Sequence, residues 1–210
     1  MLRRPADRLA IQVAAFAGLA FLVGTGATDA VDAAILGWVL SLREPVLDQV
    51  FQLFTFAGDP VVSSVIAVAI TLVAVAREGQ RGQVVLLFFA GMLAEYALKQ
   101  LVFQPGPPSE VTRDAVIIPG LRHLSAYTFP GGGHVMRVTF LAAMVGASYP
   151  RVRIAAVIIV ALVAAGRIYL ATAWAADVAG GLIAGLALAT VVELVRARAR
   201  SPKRIDALAT

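Results

Sequence analysis

The sequence predicts an all-α polytopic membrane protein, a bundle of six transmembrane helices with short interfacial helices between the first two spans. The 210-residue chain is 60% hydrophobic and only 15% charged, whereas soluble domains are about a quarter charged. Its apolar residues also gather into runs of about 20, the helix length that crosses a bilayer core. This composition excludes a soluble single-core protein, a disordered chain and, despite the net charge of +5, a nucleic-acid-binding domain.

Six apolar runs are predicted to form these spans within a single membrane domain, residues 1–210. The first run is too long for a removable signal peptide and lacks a small-residue cleavage site. The third is apolar until Glu95 and Lys99, and the fourth and fifth carry Arg137 and Arg167. The predicted spans cover residues 9–27, 60–76, 84–103, 134–149, 154–169 and 178–195.

The segment Thr28–Asp59, between the first two spans, is apolar but interrupted by charged residues. We interpret it as one or two short amphipathic helices at the membrane interface, split at Pro45. Trp38 suits that level, because indole rings gather near the lipid headgroups.

Basic residues fall mainly on one side of the predicted bundle. That side carries twelve of the eighteen basic residues and four of the thirteen acidic ones, a balance of +8 against −3 on the other side. The positive-inside rule then places both termini in the cytoplasm of a bacterial-type inner (plasma) membrane. The loop between spans three and four and the turn between spans five and six face outward.

Ionisable residues at membrane depth are costly and usually functional, and five of them collect at the outer ends of spans three to six. Three are cations and one is a histidine, a set that suits a phosphate anion. The glycines before the fourth span add backbone N–H groups at a helix N-terminus. The candidate site comprises Lys99, His134, Arg137, Arg167, Asp177, Gly132 and Gly133.

Each of these residues also has a simpler structural interpretation. Lys99 stands one helical turn from Glu95 and is placed to pair with it or to reach the headgroups. Arg167 has the same option near a helix end, and Asp177 is placed to cap the sixth span. Gly181 and Gly185, four residues apart, are expected to serve close helix packing. The site is favoured because all the polar groups fall on one side and at one depth.

The order and spacing of these residues resemble the type 2 phosphatidic acid phosphatase superfamily of membrane lipid phosphatases, over roughly residues 29–185. That family carries three signatures: Lys-x6-Arg-Pro, Pro-Ser-Gly-His and Ser-Arg-x5-His-x3-Asp. The matching segments here are Lys99 with Gly106-Pro107, then Pro130-Gly131-Gly132-Gly133-His134, then Gly166-Arg167 with Ala173 and Asp177.

The resemblance implies that Lys99 and Arg167 bind phosphate, that His134 holds the acid–base position and that Asp177 orients the nucleophile. The nucleophilic histidine of the family is Ala173 here. Because a phosphohistidine cannot form without a nucleophile, the standard hydrolysis is not expected.

Substitutes exist for the residues that this chain lacks. Gly106 replaces the first-signature arginine, and Arg137, on the same helix face as His134, is a better substitute than Arg122. His123, in the outward loop of residues 104–130, is a speculative replacement for the nucleophile. The changes at three positions favour natural divergence over an introduced inactivating substitution.

Three functions are compatible with this pattern. We favour a non-hydrolytic protein that binds a lipid phosphate or polyprenyl (pyro)phosphate headgroup at the outer leaflet. The alternative is a metal-independent lipid phosphate phosphatase with altered catalytic residues, and the third is a structural membrane subunit. The expected partners are such a lipid and the surrounding membrane lipids. No metal or cofactor is expected, since the chain has no cysteine, its outward acidic residues are scattered, and the family's chemistry resembles a metal-free one.

Overall fold

A computed structural model describes residues 4–78, 83–102, 104–113, 128–129 and 133–200. Every regular element in these ranges is helical, which confirms the all-α prediction. Single 3₁₀ turns lie at Phe56–Gly58 and Pro150–Val152. The helices are α1 (Pro5–Gly24), α2 (Asp29–Ser41), α3 (Pro45–Thr55), α4 (Pro60–Glu78), α5 (Gln83–Lys99), α6 (His134–Ser148), α7 (Arg153–Tyr169) and α8 (Ala175–Arg200).

The chain is a multi-pass membrane protein, and each predicted span coincides with one helix to within a few residues. Within the described ranges, three helical stretches are long and apolar enough to cross a bilayer. A fourth span is possible if Pro45–Gly58 and Pro60–Ala76, which meet at 51°, act as one. Since α6 is shorter than these, the count of six spans stays a prediction. The three stretches are Pro5–Gly24, Pro150–Tyr169 and Ala175–Arg198.

The segment between α1 and α4 forms two helices that divide at Pro45, as predicted. Proline is well placed there, because the first helical residue has no intrahelical use for its N–H group. α3 packs closely on α7 at Gly166, where an added Cβ would lie 2.9 Å from Thr55 Cγ2. This contact sets α3 beside the C-terminal end of α7.

α6 is the central helix of the bundle. All its side chains from Val135 to Leu141 are buried. Phe140 and Met144 pack against Phe88 of α5 and Val192 of α8 in the largest apolar cluster. A helix that is buried on all sides tolerates little change in shape, so α6 fixes the residues at its start.

The close contact between α6 and α8 depends on two glycines. A Cβ at Gly181 would lie 3.1 Å from Val135 Cβ, and a Cβ at Gly185 would lie 2.6 Å from the Met136 carbonyl oxygen. The expectation that this pair serves helix packing is therefore confirmed.

An ion pair joins the first turns of α1 to the late turns of α8, between Arg8 and Glu193. Nearer its other end, α1 packs through Val23 against Phe129 and Ala176. The beginning of α1 and the end of α8 thus lie at the same end of the bundle. That this end faces the cytoplasm stays a prediction.

Replacing Gly185 with alanine is expected to destabilise the protein by about 1–3 kcal/mol, because the added methyl group collides with the α6 backbone. The thermal unfolding midpoint of the purified protein in detergent measures this change. Gly18→Ala is the matched control, since a Cβ there meets nothing within 4 Å and alanine favours the helix by up to about 1 kcal/mol. Equal effects of the two substitutions would contradict the packing role of Gly185.

Candidate functional site

A buried carboxylate, that of Glu95, lies between two of the predicted phosphate-binding cations. The Lys99 ammonium is 2.9 Å from Glu95 Oε1, and Arg137 Nη1 donates to Glu95 Oε2 at 3.1 Å. Arg137 also donates from Nε and Nη2 to the Gly58 carbonyl oxygen, at 3.1 and 2.9 Å. Glu95 and Arg137 are buried, and the Lys99 side chain is 16% exposed, so removal of the shared carboxylate would leave cationic groups poorly solvated. Lys99 and Arg137 are therefore already engaged within the protein.

Gly133 covers this ion-pair network, which we call the Glu95 network (Glu95, Lys99 and Arg137). Its φ of +61° is a left-handed conformation that favours glycine. A Cβ at this position would overlap the Glu95 carboxylate and the Arg137 guanidinium. Glycine is thus required for packing, whether or not its N–H binds an anion. The predicted phosphate ligand Gly132 lies outside the described residues.

His134 is the first residue of α6 and is half-buried. Its Nδ1 lies 3.4 Å from Arg137 Nη2. Because a guanidinium only donates, this contact favours the neutral tautomer with Nδ1 as acceptor and the proton on Nε2. That tautomer is suited to donate a hydrogen bond to a phosphate oxygen. The Phe56–Gly58 turn holds the residue from behind, since a Cβ on Gly58 would lie 2.7 Å from His134 Cβ.

Arg167 is buried near the end of α7, in a tight turn. Its Nη2 donates to the Thr172 carbonyl oxygen at 3.1 Å, and the Thr172 hydroxyl donates back to the Arg167 carbonyl oxygen at 3.0 Å. Ala171 between them has a φ of +52°, a conformation that costs a residue other than glycine about 1–3 kcal/mol. Such strain persists only where surrounding contacts enforce it, so the turn holds Arg167 in a fixed position.

Arg167 borders a polar cleft of about 550 Å³. Hydroxyl and amide side chains dominate its described walls, together with a second arginine, Arg113. Lys99 and His134 are not among its described walls. That these residues form one site together with Arg167 stays a prediction. The cleft is lined by Gln52, Gly106, Pro107, Ser109, Thr112, Arg113, Thr128, Arg167, Ala171 and Thr172.

Ala173, at the position of the family's nucleophile, is buried in an apolar cluster. The other buried members of that cluster are four valines from α6, α7 and α8. No atom of an alanine side chain can attack phosphorus. The position therefore has an apolar environment. The four valines are Val135, Val138, Val163 and Val178.

Asp177 is fully buried at the start of α8. Its Oδ2 accepts the N–H of Trp174 at 2.9 Å, which is the carboxylate half of a capping box. Asp177 therefore caps the start of α8, as the simpler structural interpretation predicts. Lys99 lies near enough to act electrostatically on its charge, which places the Glu95 network beside the start of α8.

Asp32 of α2 also supports the start of α8, although its position in the sequence did not single it out. Its Oδ1 accepts the N–H of Ala176 at 2.9 Å, and its Oδ2 accepts from Gln104 Nε2 at 3.4 Å. An acid within an apolar helix was the available signal, since a buried carboxylate needs hydrogen-bond donors. Asp32 and Asp177 together satisfy N–H groups at this helix start.

Two further predicted residues, His123 and Arg122, lie outside the described residues. Within the described ranges, no group of three or more histidine or acidic side chains is placed to hold a metal ion. The predictions of a metal-free and cofactor-free site stay predictions.

Both the sequence and the fold are similar to known proteins. Residues 80–201 match the sequence model of the PAP2 superfamily. The fold is similar to a crystal structure described as the first transmembrane PAP2-type phosphatidylglycerolphosphate phosphatase from Bacillus subtilis. That similarity has a TM-score of 0.76 and covers 92% of this chain and 98% of the other, at 22% sequence identity. No curated protein gives a significant match.

Replacing Glu95 with glutamine is expected to lower the free energy of unfolding by about 3–5 kcal/mol, because two buried cations lose their shared counter-ion. A thermal melt in detergent, followed by tryptophan fluorescence, measures this loss. Glu193→Gln is the matched control, since its partly exposed pair with Arg8 is worth at most about 1 kcal/mol. Similar melting points for the two variants would show that the Glu95 network does not stabilise the fold.

Proposed function

We propose that this protein binds the phosphate of a lipid phosphate or polyprenyl (pyro)phosphate without phosphohistidine hydrolysis. The chain belongs to the PAP2 superfamily, which has a membrane phosphatase fold. The binding site faces the outer leaflet in this proposal, as the distribution of basic residues predicts. The observation that carries it is the combination of an apolar nucleophile position at Ala173 with a polar, arginine-lined cleft at Arg167.

The environment of Ala173 supports the absence of the standard hydrolysis. The two-step mechanism needs an imidazole that attacks phosphorus and then releases it to water. Ala173 is 1% exposed among four valines, so neither a nucleophile nor space for one is provided. Asp177, which would orient that imidazole, accepts a backbone N–H instead.

The cleft beside Arg167 supports anion binding. A guanidinium donates paired hydrogen bonds to phosphate oxygens, and the hydroxyls of Ser109, Thr112 and Thr128 line the same space. The volume of about 550 Å³ falls in the usual range for small-molecule sites.

The second candidate function is hydrolysis with altered catalytic residues. The contact between His134 Nδ1 and Arg137 favours it, because it places the ring proton on Nε2, from which it can be donated in a hydrogen bond to a phosphate oxygen. Protonation of a leaving group additionally requires the imidazolium form. Cations alone also stabilise the charge that develops on a transferring phosphoryl group. Such an enzyme requires water in place of the histidine nucleophile.

Binding and phosphate release measured side by side test the two candidates. We expect the full-length protein in detergent to bind dioctanoyl phosphatidic acid without metal-independent phosphate release. Arg167→Gln should weaken binding by about 10- to 100-fold, because a hydrogen-bonded charge is lost. Arg151→Gln, at an exposed arginine between α6 and α7, should leave it unchanged. Phosphate release that His134→Ala abolishes would establish the hydrolytic candidate instead.

Restoring a histidine at position 173 tests whether the catalytic loss is a single substitution. We expect Ala173→His to lower the melting temperature and to produce no phosphate release, because the imidazole is forced among four valines. Ala173→Val, which adds apolar volume only, is the control for size. A phosphate-releasing Ala173→His protein would contradict the apolar remodelling of this position.

A further inference from the structure

We propose that Arg113 is a second phosphate-binding residue of the Arg167 cleft and that Asp48 acts as its counter-ion until the phosphate binds. The proposal rests on the proposed function, which it extends by naming a ligand residue that the family's signatures do not include. Its ligand class is a phosphate monoester or diphosphate, whether a lipid headgroup or the free anion.

The cleft lacks the cation that the first signature would supply. Gly106 stands at that position and lines the cleft, so the wall there carries no charge. Arg137, the expected substitute, is engaged by Glu95 and by the Gly58 carbonyl oxygen. Arg113, seven residues after Gly106, lines the same cleft as Arg167. Among the described walls, these two arginines are the cationic ones.

Backbone contacts fix Arg113 against the turn that holds Arg167. Its N–H donates to the Leu170 carbonyl oxygen at 2.8 Å, and the neighbouring Thr112 hydroxyl donates to the Ala171 carbonyl oxygen at 2.9 Å. The same turn bonds Arg167 through Thr172. The backbone of Arg113 and the guanidinium of Arg167 are therefore both bonded to one short segment, which holds the two residues beside each other.

The charges around Arg113 leave room for an anion. Its guanidinium pairs with Asp48 of α3, and its side chain is 44% exposed. Arg43 lies close enough for its charge and that of Arg113 to interact. Partial burial lowers the pKa of Arg43, and the positive charge of Arg113 lowers it further, whereas Asp48 and Tyr169 raise it. Arg113 and Arg43 thus both lie within electrostatic reach of the Asp48 carboxylate, and positive charge at this edge favours a phosphate dianion.

In this proposal, Asp48 competes with the incoming phosphate for the Arg113 guanidinium. Binding then exchanges one oxyanion partner of Arg113 for another, so the guanidinium never loses its charge partner and avoids a desolvation penalty. This predicts opposite effects for the two members of the pair. Removing the arginine weakens binding, whereas removing the carboxylate charge strengthens it.

Affinities of four full-length proteins test the proposal: wild type, Arg113→Gln, Asp48→Asn and Arg167→Gln. The probes are dioctanoyl phosphatidic acid and inorganic pyrophosphate, titrated by calorimetry in the same detergent. We expect Arg113→Gln to weaken the binding of either probe about tenfold and Asp48→Asn to tighten it severalfold. Arg113→Lys should recover part of the loss, because it keeps the charge but not the paired donors.

The pair of opposite substitutions separates ligand binding from structural damage. Both Arg113→Gln and Asp48→Asn break the same ion pair, so a merely structural pair would make both variants weaker or leave both unchanged. Either of those results overturns the proposal. Loss of binding in Arg167→Gln with none in Arg113→Gln leaves the proposed function standing and removes Arg113 from the site. Failure of the wild type to bind either probe overturns the proposed function itself. Binding of both probes with the same dependence identifies phosphate as the recognised group, whereas binding of the lipid alone adds a requirement for its acyl chains.

Discussion

The carboxylate of Glu95 is the shared counter-ion of two cations at the centre of this bundle. Two cations at membrane depth, Lys99 and Arg137, are stable there because one anion lies between them. Isolated, each would carry a large desolvation cost. The same contacts connect α5 to α6 and, through Arg137 and the Gly58 carbonyl oxygen, to the turn before α4. The start of α6, where His134 lies, is positioned by this network.

Packing transmits that constraint to the rest of the fold. α6 is buried on all sides and approaches α8 closely through Gly181 and Gly185, so the start of α6 has little freedom to move. The start of α8 is fixed in turn by two carboxylates, Asp32 and Asp177, which accept its N–H groups. The Arg167 turn lies at the C-terminal end of α7 and borders the polar cleft.

Most of the fold was predictable, because runs of apolar residues reveal helices independently of what packs on them. Pro45 likewise marked the division between α2 and α3. The site was harder to predict, because depth in the membrane says nothing about which neighbour a charge meets. The Lys99–Glu95 pair was visible as a spacing of four residues, but the approach of Arg137 to Glu95 depends on how α5 and α6 pack. Arg113 lies outside the described helices, so no sequence period predicts its position. Its place at the cleft depends on the bonds that Arg113 and Thr112 make to Leu170 and Ala171.

The strained turn at Ala171 lies between Arg167, at the family's phosphate-binding position, and Ala173, at its nucleophile position. Its left-handed backbone is maintained by bonds from Thr112, Arg113 and Arg167, whereas Ala173, two residues on, belongs to the valine cluster between the helices. The two positions thus have different surroundings, one polar and one apolar. In the proposed function, this separation lets the protein bind phosphate without the nucleophile, so that the scaffold of a membrane enzyme acts as a receptor.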